Sequence, residues 1–366
     1  MDTLILQHLK LRNFRSHKSL DLDFSSKFVY LSGPNGVGKT NILEAISLFS
    51  PGRGLRGANI SDLTQINSEK FWNLSSVFKI SNIFAEIEIG LDNKGKKILR
   101  VDGKKKPLIY LTEILKIIWI TPLMDRLWIG GSSERRRFLD RLVMNFFPSH
   151  AKNCVLYDKA LKKRNLLFKD NVNDIAWFLA VEKQLAEIGY LIDKNRREVI
   201  EIIIEMQISM EKKGHFPILK IELDTYPIKD KEDFFDKLKK SRKTDFNVKR
   251  TLIGPHRTDL LVNHGLKNIQ AKNCSTGEQK SLLLSLFILS SLAISKKFRK
   301  PPLILLDEIV AHLDKENLII FLDQLISINA QIFATGTDQK NLDILPADSL
   351  SYSIDWYDGE SKVYLS

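Results

Sequence analysis

GPNGVGKT, residues 33–40, decides how the rest of the chain is read. It fits the pattern G-x-x-x-x-G-K-[ST] at every fixed position. The apolar KFVYLS precedes it and the amphipathic NILEAISLFS follows it, so the pattern predicts a strand, a glycine-rich turn and a helix. Glycines let backbone N–H groups turn inward without Cβ clashes. Those dipoles and the helix N-terminus then surround an anion. Gly33, Pro34, Asn35, Gly36, Val37 and Gly38 would form the phosphate cradle. Lys39 would set a point charge between β- and γ-phosphates, and the Thr40 hydroxyl would ligate Mg²⁺. The alternative is a chance glycine turn, which the strand–helix setting argues against.

PPLILLDEIVAHLD, residues 301–314, supplies a second half. Leu303 to Leu306 form a continuous apolar run, as a central parallel strand would. Asp307 then stands at the strand's carboxyl end, where ligands bind in open α/β sheets, and would hold Mg²⁺ through water. Glu308 beside it is placed to orient or deprotonate an attacking water. Helix N-terminal charge is the plainer reading of an Asp-Glu pair. An intact phosphate cradle in the same chain favours catalysis, with Lys39, Asp307 and Glu308 as the catalytic set.

A third stretch, CSTGEQKSLLLSLF, lies at 274–287. Ser275 and Glu278 have capping-box spacing. A helix start with Ser275, Gly277, Glu278 and Gln279 is also a phosphate-binding corner, and both readings can hold in the same residues. The P-loop, the S-x-G-E-Q signature, the Asp-Glu pair and the following H-L-D loop, in this order, resemble the ABC-type ATPases. RNFRSHKSLDLDF, NGVGKTNILEAI, GGSSERRRFLDRLV, YDKALKKRNLL, IGPHRTDLLV and LLDEIVAHLD are similar to the RecF family along nearly the whole chain. The resemblance implies a cytoplasmic, ATP-dependent DNA-binding protein of replication and recombinational repair. It implies binding to single-stranded and gapped DNA, slow ATP hydrolysis, and cooperation with RecO and RecR to place RecA. It also implies a homodimer formed on ATP, each Lys39 site facing Ser275 and Gly277 of a second copy.

The sequence departs from common ABC ATPases in two places. Leu123 stands where a Mg²⁺-contacting Gln is expected, and the switch position reads ATGTD, with Thr335 and Thr337 and no His. Both point to slow or conditional hydrolysis. A chromosome-maintenance ATPase of the SMC kind, an ABC transporter subunit and a P-loop kinase are the competing classes. The transporter lacks support from the switch, the kinase leaves the signature unexplained, and the SMC class needs longer arms than this insertion allows.

The fold class expected is α/β: an ABC-type P-loop ATPase head built from both chain ends, with an inserted helical second lobe. Its parts would be 1–130 (P-loop and a β-meander over 77–110), 131–250 (helical) and 251–366 (signature and Walker B). The segment from Asn173 to Lys213 has helical periodicity and would form a hairpin or one long helix.

Bulk properties set outer bounds. The 366 residues carry a formal net charge of +12, which fits a polyanionic partner or AT-rich composition equally well. Two distant cysteines, Cys154 and Cys274, predict neither a disulfide framework nor a zinc site. The N-terminal stretch is no signal peptide, and the uncharged run Ser281 to Ser295 reads as a buried helix, so no membrane partner is expected. Arg53 and Arg56 on a glycine-rich loop are candidates for DNA or nucleotide contact. Arg135, Arg136 and Arg137 would line an interface or pair with Glu134 and Asp140. The cationic hairpin KKILRVDGKKK would track phosphates or form a solvated turn, and His256 and Arg257 would serve a structural turn.

Overall fold

Four runs, FVYLS, IIWI, LILL and IFATG, are apolar at nearly every position. Parallel strands covered on both faces require such runs. In the computed structural model all four are strands, buried at every residue. The structure describes residues 3–65, 68, 71–210, 216–308, 315–337 and 344–366. The H-L-D loop at 311–314 lies outside them.

The chain begins with β1 (Leu4–Phe14), β2 (His17–Asp23), β3 (Phe28–Ser32), α1 (Lys39–Ser47), β4 (Asn73–Ile80), β5 (Ile83–Leu91), β6 (Lys97–Val101), β7 (Lys104–Lys106), α2 (Tyr110–Ile114) and β8 (Ile117–Ile120). Then come α3 (Ser132–Phe146), α4 (His150–Lys169), α5 (Ile175–Met210), β9 (Leu219–Asp224), α6 (Lys231–Val248), β10 (Asp259–His264), β11 (Ile269–Gln270) and α7 (Thr276–Phe298). It ends with β12 (Leu303–Leu306), α8 (Lys315–Ser327), β13 (Ile332–Gly336), β14 (Leu350–Tyr357) and β15 (Glu360–Leu365).

Two compact units divide the chain, one of Met1–Asp125 with Leu283–Ser366, the other Arg126–Leu282. The first unit carries two six-stranded sheets among the described residues. One, in the order β2-β1-β4-β5-β6-β7, is antiparallel throughout and contains the expected meander except at its end, where the last strand stops at Lys106 and Tyr110 already opens α2. The other runs β15-β14-β3-β13-β12-β8 and is parallel except for the β14–β15 hairpin at its edge. Sequence reading overlooked that hairpin, although Asp358-Gly359 between alternating strands is a strong turn signal. Both residues have positive φ, 49° and 77°, as a type I′ turn requires. α7 is long and apolar enough to cross a membrane by composition. With 67% of its apolar window buried it is a core helix, as Ser281 to Ser295 predicts.

The second unit differs from expectation at its far boundary. The head was expected to resume at 251, but β10 pairs with β9 and so stays with the helical unit, which extends to Leu282. Asn173 to Lys213 resolves into one helix, α5, described to Met210. The arginine run does not pair along its own helix. Arg135 donates to both oxygens of Asp259, at 2.7 and 2.8 Å, and Arg136 donates to the Thr258 carbonyl. Asp140 instead takes Arg196 and His150. A guanidinium satisfies its fork best with a carboxylate facing it squarely, and the local spacing does not offer one.

The helical unit is centred on a buried cation. Arg164 is fully buried on α4 and donates to Glu182, Asp245, Thr251 and the Leu238 carbonyl. Around it Tyr157, Leu185, Ile192, Phe234 and Leu238 form an apolar core. Gly189 admits this packing, because a Cβ there would press on Phe234 at 2.6 Å and Tyr157 at 2.9 Å. Removing one member of a buried ion network strands the others. Arg164→Met is therefore expected to destabilise this unit by about 3–5 kcal/mol in denaturant unfolding. A loss below about 1 kcal/mol would show that Arg242, which also pairs with Glu182, is partner enough.

Candidate nucleotide-binding site

The P-loop occupies the carboxyl end of β3 and opens α1. Its glycines have the backbone the sequence predicts, with φ of 146° at Gly33, 85° at Gly36 and 105° at Gly38. Two of them also allow close approach. A Cβ on Gly33 would strike the Ile354 carbonyl of β14, and one on Gly38 would strike the hydroxyls of Ser361 and Ser16. The loop is thus fitted against the C-terminal hairpin and the β1–β2 turn. Ser361 donates to the Val37 carbonyl at 2.6 Å, and Asn41 donates to Ser16 at 2.7 Å.

Further residues brace this corner, of which the sequence had singled out only Arg56. Arg15 forks onto Glu44 of α1 with two contacts of 2.9 Å and donates to the Asp62 carbonyl. Glu44 is fully buried, which a chain position inside an amphipathic helix does not disclose. Arg56 donates to Asn41 at 3.0 Å, so one of the two loop arginines belongs to the P-loop surroundings. His17 is buried behind the loop, with Nε2 donating to the Gly38 carbonyl at 3.3 Å and Nδ1 unpartnered. Burial pushes its pKa down to about 4. Because the folded value lies below the ordinary one of 6.5, the neutral ring stabilises the fold above that pH. This contribution is lost as pH falls through about 4.

The predicted chemical residues converge. Thr40 donates to Asp307 Oδ1 at 2.9 Å although 267 residues separate them. Thr335 donates to the same oxygen at 2.9 Å and accepts the Glu308 N–H at 2.9 Å. Burial raises the Asp307 pKa, against the two hydroxyls, which lower it. Burial lowers the Lys39 pKa, against Glu308 and Asp307, which raise it. Lys39 Nζ donates to the Gly33 and Pro34 carbonyls at 2.6 and 2.8 Å. Glu308 has φ of 50°, a left-handed conformation uncommon outside glycine and asparagine.

The donor set fits Mg²⁺. Thr40 and Asp307 offer hard oxygens within hydrogen-bond distance of each other. Among the described residues no ammonium or guanidinium ion-pairs with Asp307. The Thr335 hydroxyl is spent on Asp307 and Glu308 and is fully buried, so it is no substitute for a switch histidine facing a phosphate. Leu123 is 78% exposed and offers no ligand where the Gln is missing.

Ser275, Gly277, Glu278 and Gln279 belong to the helical unit. The capping box is formed. Glu278 accepts from the Ser275 N–H at 2.9 Å and from its hydroxyl at 3.0 Å, and Lys267 ion-pairs with the same carboxylate. Lys267 and these donors pull the Glu278 pKa down to about 2. Gly277 faces open space, and a Cβ there would meet nothing within 4 Å. Gln279 differs from expectation. Its side chain turns inward, donating to the Cys274 carbonyl at 2.9 Å, while its backbone carbonyl accepts from Trp128 Nε1 at 2.8 Å. Its amide closes the loop before the helix and is not presented to a ligand. His256 is likewise internal, contacting the Tyr157 hydroxyl at 3.0 Å and the Thr251 carbonyl at 3.1 Å.

Thr335→Val keeps the shape of the side chain and removes the shared hydroxyl. Expected are a retained fold and nucleotide affinity within a few-fold, with ATP turnover reduced about tenfold or more. Unchanged turnover in a phosphate-release assay would show that Asp307 and Glu308 are positioned without it.

The chain is similar to known proteins in sequence and in fold. The RecF/RecN/SMC N terminal domain family model matches residues 5–345. The DNA replication and repair protein RecF of Brucella suis biovar 1 (strain 1330) is 37% identical over 366 residues, covering 96% of this chain and 95% of that protein. The RecF protein of Rhizobium rhizogenes (strain K84) is 36% identical over 348 residues, covering 92% and 93%. A solved structure of the recombination mediator protein RecF with ATP superposes with a TM-score of 0.84 at 25% identity, covering 99% of this chain and 98% of that one. The Smc head domain from Pyrococcus furiosus gives 0.56 at 19% identity, covering 99% and 96%, a likeness of fold. With its P-loop and Walker B strand assembled in an ABC-type head, this chain belongs to the RecF family of DNA replication and repair proteins.

Proposed function

We propose that the chain is an ATP-switched DNA-binding protein of replication and recombinational repair. The observation that carries the proposal is the linked set Thr40–Asp307–Thr335–Glu308 beside the P-loop lysine. ATP would lie with its phosphates in the cradle of Gly33 to Thr40. Mg²⁺, held by Thr40 and Asp307, would screen the phosphate charge. Lys39 would exchange its loop carbonyls for phosphate oxygens. Glu308 would orient the attacking water and accept its proton. Weak turnover fits the missing Gln and His, so hydrolysis would reset a switch rather than drive work.

The DNA partner is supported by the family and by the net charge of +12. We assign single-stranded and gapped duplex DNA as substrate, RecO and RecR as partners in loading RecA, and the cytoplasm as location. Two copies would meet around ATP under two-fold symmetry, each P-loop facing Ser275 and Gly277 of the other. The open surface at Gly277 supports that contact. The SMC alternative would need long arms, and the longest described helix here has 36 residues.

Two measurements test the scheme. Glu308→Gln with ATP is expected to give a stable dimer in light scattering, and a protein that stays monomeric would refute the clamp. Ser275→Arg is expected to leave the fold and single-chain ATP binding intact while abolishing the ATP-driven dimer. Loss of the melting transition in this variant would instead assign Ser275 to capping alone.

A further inference from the structure

Side chains alternate along a strand, so Lys97, Leu99 and Val101 of β6 share one face of the antiparallel sheet. Leu99 and Val101 are buried on it. Lys97 therefore points to the apolar side, at the strand's start. There it lines a cavity of about 340 Å³ together with Leu48, Leu63, Arg53, Asn59 and Ser61. Two cationic and two neutral polar residues thus border the cavity beside the apolar Leu48 and Leu63. No carboxylate is among the described residues lining the cavity. The neighbouring Asp62 accepts from Asn59 at 3.3 Å and from Ser61 at 3.0 Å. Arg53 has only a 3.5 Å contact to Asn59 among its described hydrogen bonds. Burial pushes the Lys97 ammonium down to about 8, with no acid opposing the shift.

A cation turned toward an apolar face without a counter-charge is costly, and an anion supplied from outside relieves the cost. None of the P-loop residues Gly33 to Thr40 lines this cavity. The volume lies near the lower end of small-ligand pockets, roughly 300–1,000 Å³, which suits one nucleotide unit. We propose that this cavity is a second, phosphate-directed site that takes a single nucleoside monophosphate unit. The phosphate sits against Lys97 and Arg53, and the base or sugar sits against Leu48 and Leu63. Asn59 keeps one N–H for a hydrogen bond, the Ser61 proton being given to Asp62. The choice of a nucleotide as the anion rests on the DNA-binding reading. The same chemistry reaches the site from a free nucleotide or from a phosphorylated DNA end.

The test is calorimetric titration of the full chain with its P-loop saturated by a non-hydrolysable ATP analogue. The probes are deoxythymidine monophosphate and a short single-stranded oligonucleotide with either a 5′-phosphate or a 5′-hydroxyl. Lys97→Met is expected to weaken binding at least about tenfold for a phosphate-bearing probe. Affinity for the ATP analogue should be unchanged and the melting temperature no lower. Arg53→Ala, on an exposed loop, should show a loss in the same direction without touching the sheet. Loss confined to the 5′-phosphorylated oligonucleotide identifies a DNA end as the source. Loss confined to the mononucleotide identifies a free nucleotide. If no oligonucleotide binds the unaltered chain but the mononucleotide still depends on Lys97, the cavity stands and the DNA-binding reading falls. Equal affinities in all variants for every probe overturn the proposal.

Discussion

One buried hydroxyl holds the chemistry together. Thr335 Oγ1 has a single proton, given to Asp307, and it accepts the Glu308 N–H. Both contacts measure 2.9 Å, and the group is inaccessible to solvent. It can serve both neighbours because β13 lies between β3, which feeds the P-loop, and β12, which ends at Asp307. Adjacent strands are about 4.8 Å apart, so β3 and β12 are separated by roughly twice that distance. Thr40 reaches across from α1 to meet Asp307, and Thr335 fills the space between. The register Leu306↔Ala334 places Thr335 level with Asp307. A slip of one residue would turn the hydroxyl to the other face of the sheet.

The reverse side of the P-loop is equally constrained. Ile354 and Ser361 come from the last two strands and Ser16 from the first turn, so both ends of the chain press on Gly33 and Gly38. Backbone N–H groups can surround a phosphate only if nothing behind them pushes the loop open. The hydrogen bonds from Ser361 to Val37 and from His17 to Gly38 pin carbonyls on that reverse side. This leaves the opposite edge of the loop to its N–H groups. The P-loop conformation is thus a tertiary product, although its glycines announce it locally.

That difference explains what could be read in advance. The cradle, the strand before Asp307 and the capping box depend on spacing within a few residues, and spacing is visible in a sequence. The apolar runs FVYLS and Leu303–Leu306 announced two strands of the parallel sheet in the same way, while IIWI was not singled out. The pairs Arg15–Glu44, Arg135–Asp259 and Arg164–Asp245 join residues 29, 124 and 81 positions apart, and nothing local marks them. The unit boundary was misplaced for a related reason. A change in composition near 250 marks the end of α6, whereas membership in a unit is set by β10 pairing with β9. The C-terminal hairpin was legible from Asp358-Gly359 and was overlooked because no chemical motif lies on it. It nonetheless supplies the wall that fixes two P-loop glycines.

The signature corner shows how a structural role and a binding role share the same atoms. A helix N-terminus attracts an anion because its first N–H groups lack partners. Here one anion is built in: the Glu278 carboxylate sits on the Ser275 N–H and hydroxyl, with Lys267 as its counter-ion. In the proposed dimer, a phosphate brought to Ser275 by a second copy would compete with Glu278 for those donors. Displacing Glu278 would also release Lys267 from its ion pair, leaving its ammonium free to follow the phosphate. On that proposal the cap would be a resting state for the corner, released by a phosphate that outcompetes one carboxylate for the Ser275 donors. A nucleoside triphosphate would extend a γ-phosphate to that corner, whereas a diphosphate, one phosphate shorter, would fall short of it.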